Sequence, residues 1–396
     1  MKILQINSVY GIRSTGRIAY EIAMLQKKNG MQPYIVSGEG HSDSPDHYIM
    51  SGKLYLKLNI LKTRLFGKHG FYSKLATKRM LKFIDKVSPD VIHLHNIHGH
   101  YFNVKMIFDY IQKHNIPVVW TLHDCWAFTG HCAHFDYAGC QKWKTGCGKC
   151  PLRRSYPDSW FFDRSKGNFA LKKKIFTRTE NMHIVTPSEW LSSLARESFL
   201  GKYPVTTINN GIDTTVFSYR ESDFRKRYGL EGKFVIMGIV SNLNSTKGGQ
   251  YFLSLSEKLR EDEHIILLSL EKDSELLPDN ITAIPRTDSP QQLAEVYSAA
   301  DVFVNPTMQD TFSMINVEAL SCGVPVVTFV AGGCAEPVSE KCGITVKKGD
   351  AQGLYDGIQR VRNGEINRNE CREQGLKFAS ELCFSKYINL YRDIIK

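Results

Sequence analysis

The sequence predicts an α/β chain of two tandem domains, each a parallel sheet with helices on both faces. Three observations carry this expectation. Short apolar runs alternate with helix-period patterns along most of the chain, as strand–helix–strand units do. The alternation runs through twice, with a join near "YPVTTINNGID" (203–213). The length of 396 residues, 42% of them hydrophobic, exceeds what one core usually supports.

The elements follow in order. "KILQIN" (2–7) is a short β run that ends in a loop. "GRIAYEIAMLQKKNG" then carries apolar residues at helical spacing, Ile18, Ile22 and Leu25, and Gly30 is a good stop. "QPYIVSG" is a second strand. "DVIHLHN", a helix near Val104–His114, "PVVWTLHD", "MHIVTPS" and the helix "EWLSSLARESF" continue the scheme. The first domain is expected over 1–207. In the second, over 208–378, the strands are "KFVIMGIVS", "HIILLSL", "ITAIP", "DVFVNPT", "PVVTFV" and "GITV", with helices beginning near Gly248, Pro290, Phe312 and Ala351. The stretch at about 130–166 breaks the pattern, is rich in Gly, Cys and aromatics, and reads as an insertion.

Composition excludes several classes. No run of about 18 apolar residues is present, so no membrane-spanning helix is expected. The opening "MKILQINSVYGIRSTG" lacks a signal peptide's long apolar core. A cytoplasmic protein is expected, or one peripheral on the inner face of the plasma membrane. Its ten cysteines then read as thiols or metal ligands before disulfides. The net charge of +11 is uneven: residues 1–200 hold 29 Lys/Arg against 14 Asp/Glu, and the remainder 22 against 26. The first half is expected to face something anionic. Lys53 to Lys86 carries ten basic residues and one acid, Asp85, interleaved with leucines and aromatics. Such a segment fits an anionic membrane surface, and fits equally a solvated basic helix pair with an apolar core face.

The chemistry concentrates in "NPTMQDTFSMINVEALSCGVPVV" (305–327). A strand ends at Asn305–Pro306, a loop carries Asp310, and a helix is expected to start near Thr311–Ser313, with Glu318 just over two turns in. Ligands of open α/β sheets bind beyond the carboxyl ends of strands, and a helix start there suits a phosphate. Two acids flanking a diphosphate would match the layout of a nucleotide-sugar. The plain alternative is a cap at Asp310 and a solvated Glu318.

"ADVFVNPTMQDTFSMINVEALSCGVPVV" followed by "AGGCAEPV" resembles the donor-site region of glycosyltransferase family 4. "INNGIDTTVF", "TKGG", the His-bearing "DVIHLHN" and "TLHD", the Gly loop "STGR" and the closing "CFSKYINLYRDIIK" resemble further family motifs in the family's order. The resemblance implies a retaining enzyme of GT-B fold: two Rossmann-like domains facing across a cleft that closes at a hinge near Asn210–Gly211. A C-terminal helix, 379–396, would cross back to the first domain.

The resemblance also implies roles. Glu318 would bind the ribose hydroxyls, and Asp310 the donor-sugar hydroxyls beside the reacting carbon. Phe312, Ser313 and Met314 would offer backbone N–H groups to the diphosphate. Lys247 would neutralise the leaving phosphate, so that no catalytic metal is implied. His123 would meet the donor sugar or the incoming hydroxyl, and Gly16 with Thr15 would let backbone approach the donor phosphate. The sequence departs in two places. Asp310 stands where the family has Glu, and Asn242 where it has Arg, a charge that Arg286 would have to supply. His93 and His95 are expected to be packed or hydrogen-bonded, one of them facing inward.

The donor is then a UDP- or GDP-sugar. The acceptor is a lipid-linked or other glycan in surface polysaccharide assembly, and no nucleic-acid partner is expected. In "GHCAHFDYAGCQKWKTGCGKCP" the residues Cys132, Cys140, Cys147 and Cys150 include a C-x-x-C knuckle, which points to structural zinc, with free thiols or disulfides as alternatives. Rival readings are a nucleotide-sugar epimerase on the same fold, a nucleic-acid-binding zinc protein, and a homologue without activity.

Overall fold

The computed structural model describes residues 1–40, 44–50, 52–244, 246–270 and 274–396, with the backbone alone at Lys53 and Leu276. Two compact units emerge. One comprises Met1–Asn209 with Phe384–Lys396, the other Asn210–Cys383.

The first unit holds strands β1 (Lys2–Val9), β2 (Gln32–Glu39), β3 (His47–Ile49), β4 (Val91–Leu94), β5 (Val118–Thr121), β6 (Met182–Thr186) and β7 (Val205–Thr207). They pair in parallel in the order β3-β2-β1-β4-β5-β6-β7. β3 and β7 were not expected. Each is three residues long at the sheet edge, too short for a period to register. Strands β4 and β5 are buried along their whole length, as parallel strands covered on both faces must be. This makes a correction at β4. His93 and His95 are two residues apart, hence on one face, and both are buried with rings 4.0 Å apart.

The second unit holds β8 (Phe234–Ile239), β9 (Glu263–Leu268), β10 (Ile281–Ile284), β11 (Val302–Asn305), β12 (Val326–Val330) and β13 (Gly343–Lys347). Their order, β10-β9-β8-β11-β12-β13, repeats that of the first six strands of the other unit. In both sheets the order reverses once, between β1 and β4 and between β8 and β11. That reversal opens a crevice at the carboxyl ends of the two strands.

The helix Ser380–Ile394 begins in the second unit and ends in the first. Its Tyr391 hydroxyl lies 2.6 Å from His93 Nδ1 and its Tyr387 hydroxyl 2.9 Å from Thr121 Oγ1, which ties the helix to β4 and β5. Among the described residues no helix is long and apolar enough to cross a membrane.

Candidate functional site

In the second unit the loops after β8 and β11 are laced together. Met308 N donates to Thr246 O at 2.8 Å, and Lys247 Nζ stands 3.1 Å from Asp310 Oδ2. Gly248 lies against Pro306: a Cβ there would come within 2.1 Å of the Pro306 carbonyl oxygen, at a φ of +82°. The loop after β12 closes the third side. Gly333 N donates to Asp310 O at 3.0 Å, and a Cβ on Gly332 would come within 2.2 Å of the same oxygen.

The helix after β11 starts at Met314, later than expected. Glu318 is therefore four residues in, about 6 Å along the axis, rather than two turns. The reason is Asn305. Its buried amide donates to Ser313 Oγ at 3.0 Å and to Asn316 Oδ1 at 2.8 Å, which holds Ser313 extended at the helix start. Ser313 is thereby occupied and does not cap its own helix. Other helices contrast with it: those at Glu189, Pro290 and Ala351 have a Ser188, Ser289 or Asp350 side chain on their early N–H groups. An uncapped helix start with no acid in its first turn leaves N–H groups and a positive dipole end directed at the loops.

Glu318 Oε2 accepts from the Tyr297 hydroxyl at 3.0 Å. Burial and then that carboxylate push the Tyr297 phenol well above its ordinary value, so Tyr297 stays a donor and orients the acid. Phe312 is buried against Phe378, ring centroids 5.7 Å apart, which leaves its backbone as the polar part at the loop. Asn242 sits on the Lys247 loop, with Gly249 packed on its carbonyl. Arg286 follows β10, an exposed position two strands away from β8. Lys247, Asp310 and the helix start at Phe312–Met314 thus lie along adjoining loops, Glu318 stands one turn further along the helix against Tyr297, and Arg286 is not drawn into their contacts among the described residues.

His123, Thr15 and Gly16 belong to the first unit. Gly16 is inside the helix Arg13–Lys28, where a Cβ would press at 3.1 Å on Val9. Its smallness seats the helix against Val9 and the backbone of Tyr10. Thr15 offers its carbonyl to Asn7 Nδ2 at 3.1 Å. His123 Nε2 lies 3.1 Å from His95 Nδ1, and His95 Nε2 lies 3.0 Å from Gln5 Oε1, a buried polar chain running under β1. Burial holds His123 down to about 4 against the opposing pull of Asp124, so it is a neutral imidazole at neutral pH. Beside it, His98 Nε2 and Asp124 Oδ2 are 2.7 Å apart, and His98 Nδ1 meets the Tyr156 hydroxyl at 3.0 Å. Burial opposes ionisation of Asp124, yet His98 and its hydrogen bonds hold it at about 2.

Next to this cluster is a pocket of about 270 Å³ at the carboxyl end of β1, lined by Ser8, Arg13, Glu39, Arg64, His100 and Tyr156 among others. Sequence reasoning missed Tyr156, His98 and His100. Tyr156 comes from the insertion, and nothing in its local pattern shows which strand ends it will meet.

Stability of this unit should depend on acid. His123 and His100 are both lowered from 6.5 to about 4, chiefly by burial. Below pH 6.5 the unfolded chain binds protons that the folded chain refuses. Stability therefore falls as pH drops from 6.5 through 4, by about 1 kcal/mol per histidine in the first unit of pH. Thermal melts at pH 7.5, 6.5 and 5.5 are expected to show a decline about threefold steeper in the lower interval than in the upper.

The cysteines correct an expectation. Cys132, Cys140, Cys147 and Cys150 do line one small cavity, together with His131 and Trp143. All are free thiols. They are engaged in hydrogen bonds: Cys132 with Cys150, which lowers the latter to about 7, and Gly130 N with Cys147 Sγ at 3.2 Å. Among the described residues no group of three or more His, Cys, Asp or Glu side chains is placed to hold a metal ion. The zinc reading rested on the C-x-x-C knuckle Cys147–Cys150. Apolar packing also holds the insertion: Trp143 is buried between Phe128 and Phe135 and joins the core of the unit.

The chain matches the family model described as Glycosyltransferase Family 4 over residues 15–216. It matches the model described as Glycosyl transferases group 1 over residues 220–378. A putative colanic acid biosynthesis glycosyl transferase, WcaC of Escherichia coli (strain K12), is 25% identical over 414 residues that cover 100% of both chains. Among solved structures, sucrose-phosphate synthase from Thermosynechococcus elongatus superposes with a TM-score of 0.73 at 17% identity, covering 99% of this chain and 98% of its own. The HepE protein of Anabaena in complex with UDP gives a TM-score of 0.67 at 16% identity, covering 99% and 100%.

Proposed function

The chain belongs to the group 1 glycosyltransferases of family 4, with the GT-B fold, and from that premise we propose that it moves a sugar from a nucleoside-diphosphate sugar to an acceptor hydroxyl, with retention and without a catalytic metal. The observation that carries this reading is the Lys247–Asp310 pair, 3.1 Å apart, at the crevice above an uncapped helix start. A diphosphate laid there would meet the lysine on one side and the N–H groups of residues 312–314 on the other. Glu318, oriented by Tyr297, suits the ribose hydroxyls. Asp310 suits the hydroxyls of the sugar being moved.

In the proposed step the bond from the anomeric carbon to the phosphate oxygen breaks. The acceptor oxygen bonds to the same face of that carbon, and the acceptor proton passes to the departing phosphate. Lys247 and the helix amides stabilise the charge that develops on the leaving group, so no protein nucleophile is required. Neutral His123 can accept or donate a hydrogen bond to a hydroxyl without adding charge. The likeness to a colanic acid enzyme supports surface polysaccharide assembly as the setting. We assign the acceptor glycan to the Arg13–Glu39–Tyr156 pocket, whose mixed charges and aromatic ring suit sugar hydroxyls.

A thermal-shift screen against UDP-, GDP-, ADP- and CMP-sugars tests the donor. At 100-fold excess over Kd a cognate donor stabilises by about 2.7 kcal/mol, a rise of roughly 5–10 °C in the second unit. No rise with any nucleotide-sugar or free nucleotide would sink the reading. UDP leads the expectation, because a structural neighbour binds it.

A further inference from the structure

The helix Lys53–Phe66 packs Tyr55 and Leu56 against the core yet also buries polar residues and leaves a row of large apolar ones outside. Its polar residues Asn59 and Thr63 are each 2% exposed, while Leu54, Leu58, Leu61 and Phe66 are 74%, 49%, 44% and 49% exposed. The buried pair is satisfied from within. Asn59 Nδ2 donates to Tyr55 O at 3.0 Å, Thr63 Oγ1 donates to Asn59 O at 2.9 Å, and His100 Nδ1 lies 3.0 Å from Thr63 Oγ1. Leu54, Leu58 and Leu61, at i, i+4 and i+7, form one stripe on the outside. A helix that merely packs on a core would show the reverse. The next helix, Lys74–Val87, does: it buries Ala76, Met80, Ile84 and Val87 and turns its lysines outward. The basic segment read as one from the sequence therefore divides into an ordinary solvated helix and one with an exposed apolar row.

The insertion extends the outer face. Trp160, Phe161 and Phe162 are 38%, 66% and 47% exposed. They are pinned to the helix end: Trp160 N donates to Arg64 O at 2.7 Å, and Gly67 lies so close that a Cβ would come within 3.0 Å of Phe162 O. Arginines lie over the rings, Arg64 5.6 Å from the Trp160 centroid and Arg164 5.5 Å from that of Phe162. Lys57, Lys62, Arg64 and Lys68 flank the leucines, all exposed, and no acid occurs in the helix.

We propose that this face docks on the surface of a bilayer containing anionic phospholipid, the leucines and aromatics sinking to the acyl boundary and the cations meeting lipid phosphates. Interfacial helices have this make-up, and aromatic rings sit at the headgroup level. A protein partner fits less well, because protein interfaces are depleted of lysine at their cores. Leu56 and Ile60 of the same helix line the pocket assigned above to the acceptor, with Arg64, 3.8 Å from Asp158, at the rim between pocket and outer face. Docking would thus bring that pocket to the lipid surface, where an acceptor carried on a lipid is found. The docking itself is independent of the sugar-transfer reading and is measured without donor or acceptor.

Flotation decides it, with vesicles of phosphatidylcholine alone or with about one third phosphatidylglycerol. The full chain is expected to float with the anionic vesicles, less so as salt rises, and weakly with the neutral ones. L58S/L61S and K57E/K62E should each cut the bound fraction by roughly tenfold or more. K27E/K28E, at the far end of the sheet, should float like the parent, and all three variants should melt like it. Absence of flotation with anionic vesicles would overturn the proposal. So would L58S/L61S binding as the parent does, or an equal loss in K27E/K28E.

Discussion

Lys247→Ala is expected to keep its fold and lose its turnover, with kcat falling about 100-fold or more. The two effects separate because of where the lysine stands. Its side chain is 46% exposed and that of Asp310 22%, so their ion pair is one that water largely screens. Pairs of that kind contribute about 0–1 kcal/mol, and the melting temperature should barely move. Charge developing on a leaving diphosphate is another matter. A single preorganised donor aimed at such charge accounts for about 10²–10³ in kcat. Initial rates of sugar transfer, set beside a thermal melt of the same variant, read both numbers. A variant that melts normally and turns over within about threefold of the parent would remove Lys247 from the chemistry.

Gly332→Ala should damage stability and turnover together. At φ +61° any side chain costs about 1–2 kcal/mol. The larger effect is steric: the new Cβ would stand 2.2 Å from the Asp310 carbonyl oxygen. Backbone cannot swing aside as a side chain tip does, so the Asp310 loop must shift by about 1 Å, a displacement that alone can cost about 100-fold in rate. Stability is expected to fall by about 3 kcal/mol, the conformational and steric costs together. Gly364→Ala is the control. Its φ is +79° but nothing lies within 4 Å of the added carbon, so it should lose about 1 kcal/mol and no activity. Equal behaviour of the two variants would mean that the β12 loop does not brace Asp310.

Much of this was legible without coordinates. All six strands of the second unit were expected, because buried parallel strands are short apolar runs bounded by breakers. Asp310 and Glu318 stood out as acids before and within a helix that follows a strand end, the ligand side of such a sheet, whereas Lys247 was singled out only by the resemblance to the family. What was misjudged has a common cause. The helix starts at Met314, just past the expected Thr311–Ser313, with Ser313 held by Asn305, a side chain eight residues away. Tyr297, which orients Glu318 from 21 residues upstream, had no pattern to announce it.

The division runs along the range of the forces involved. Period, turn residues and strand ends are short-range, so the residues themselves suffice for the two α/β units, their strands and the class of ligand edge. Which face of a helix is covered, which hydroxyl reaches a carboxylate, and whether four thiols form a cage depend on what packs there from elsewhere in the chain. Leu58 and Asn59 are neighbours of ordinary helical character. Only tertiary packing, which brings His100 to Thr63 on the covered side, buries the asparagine and leaves the leucine half exposed.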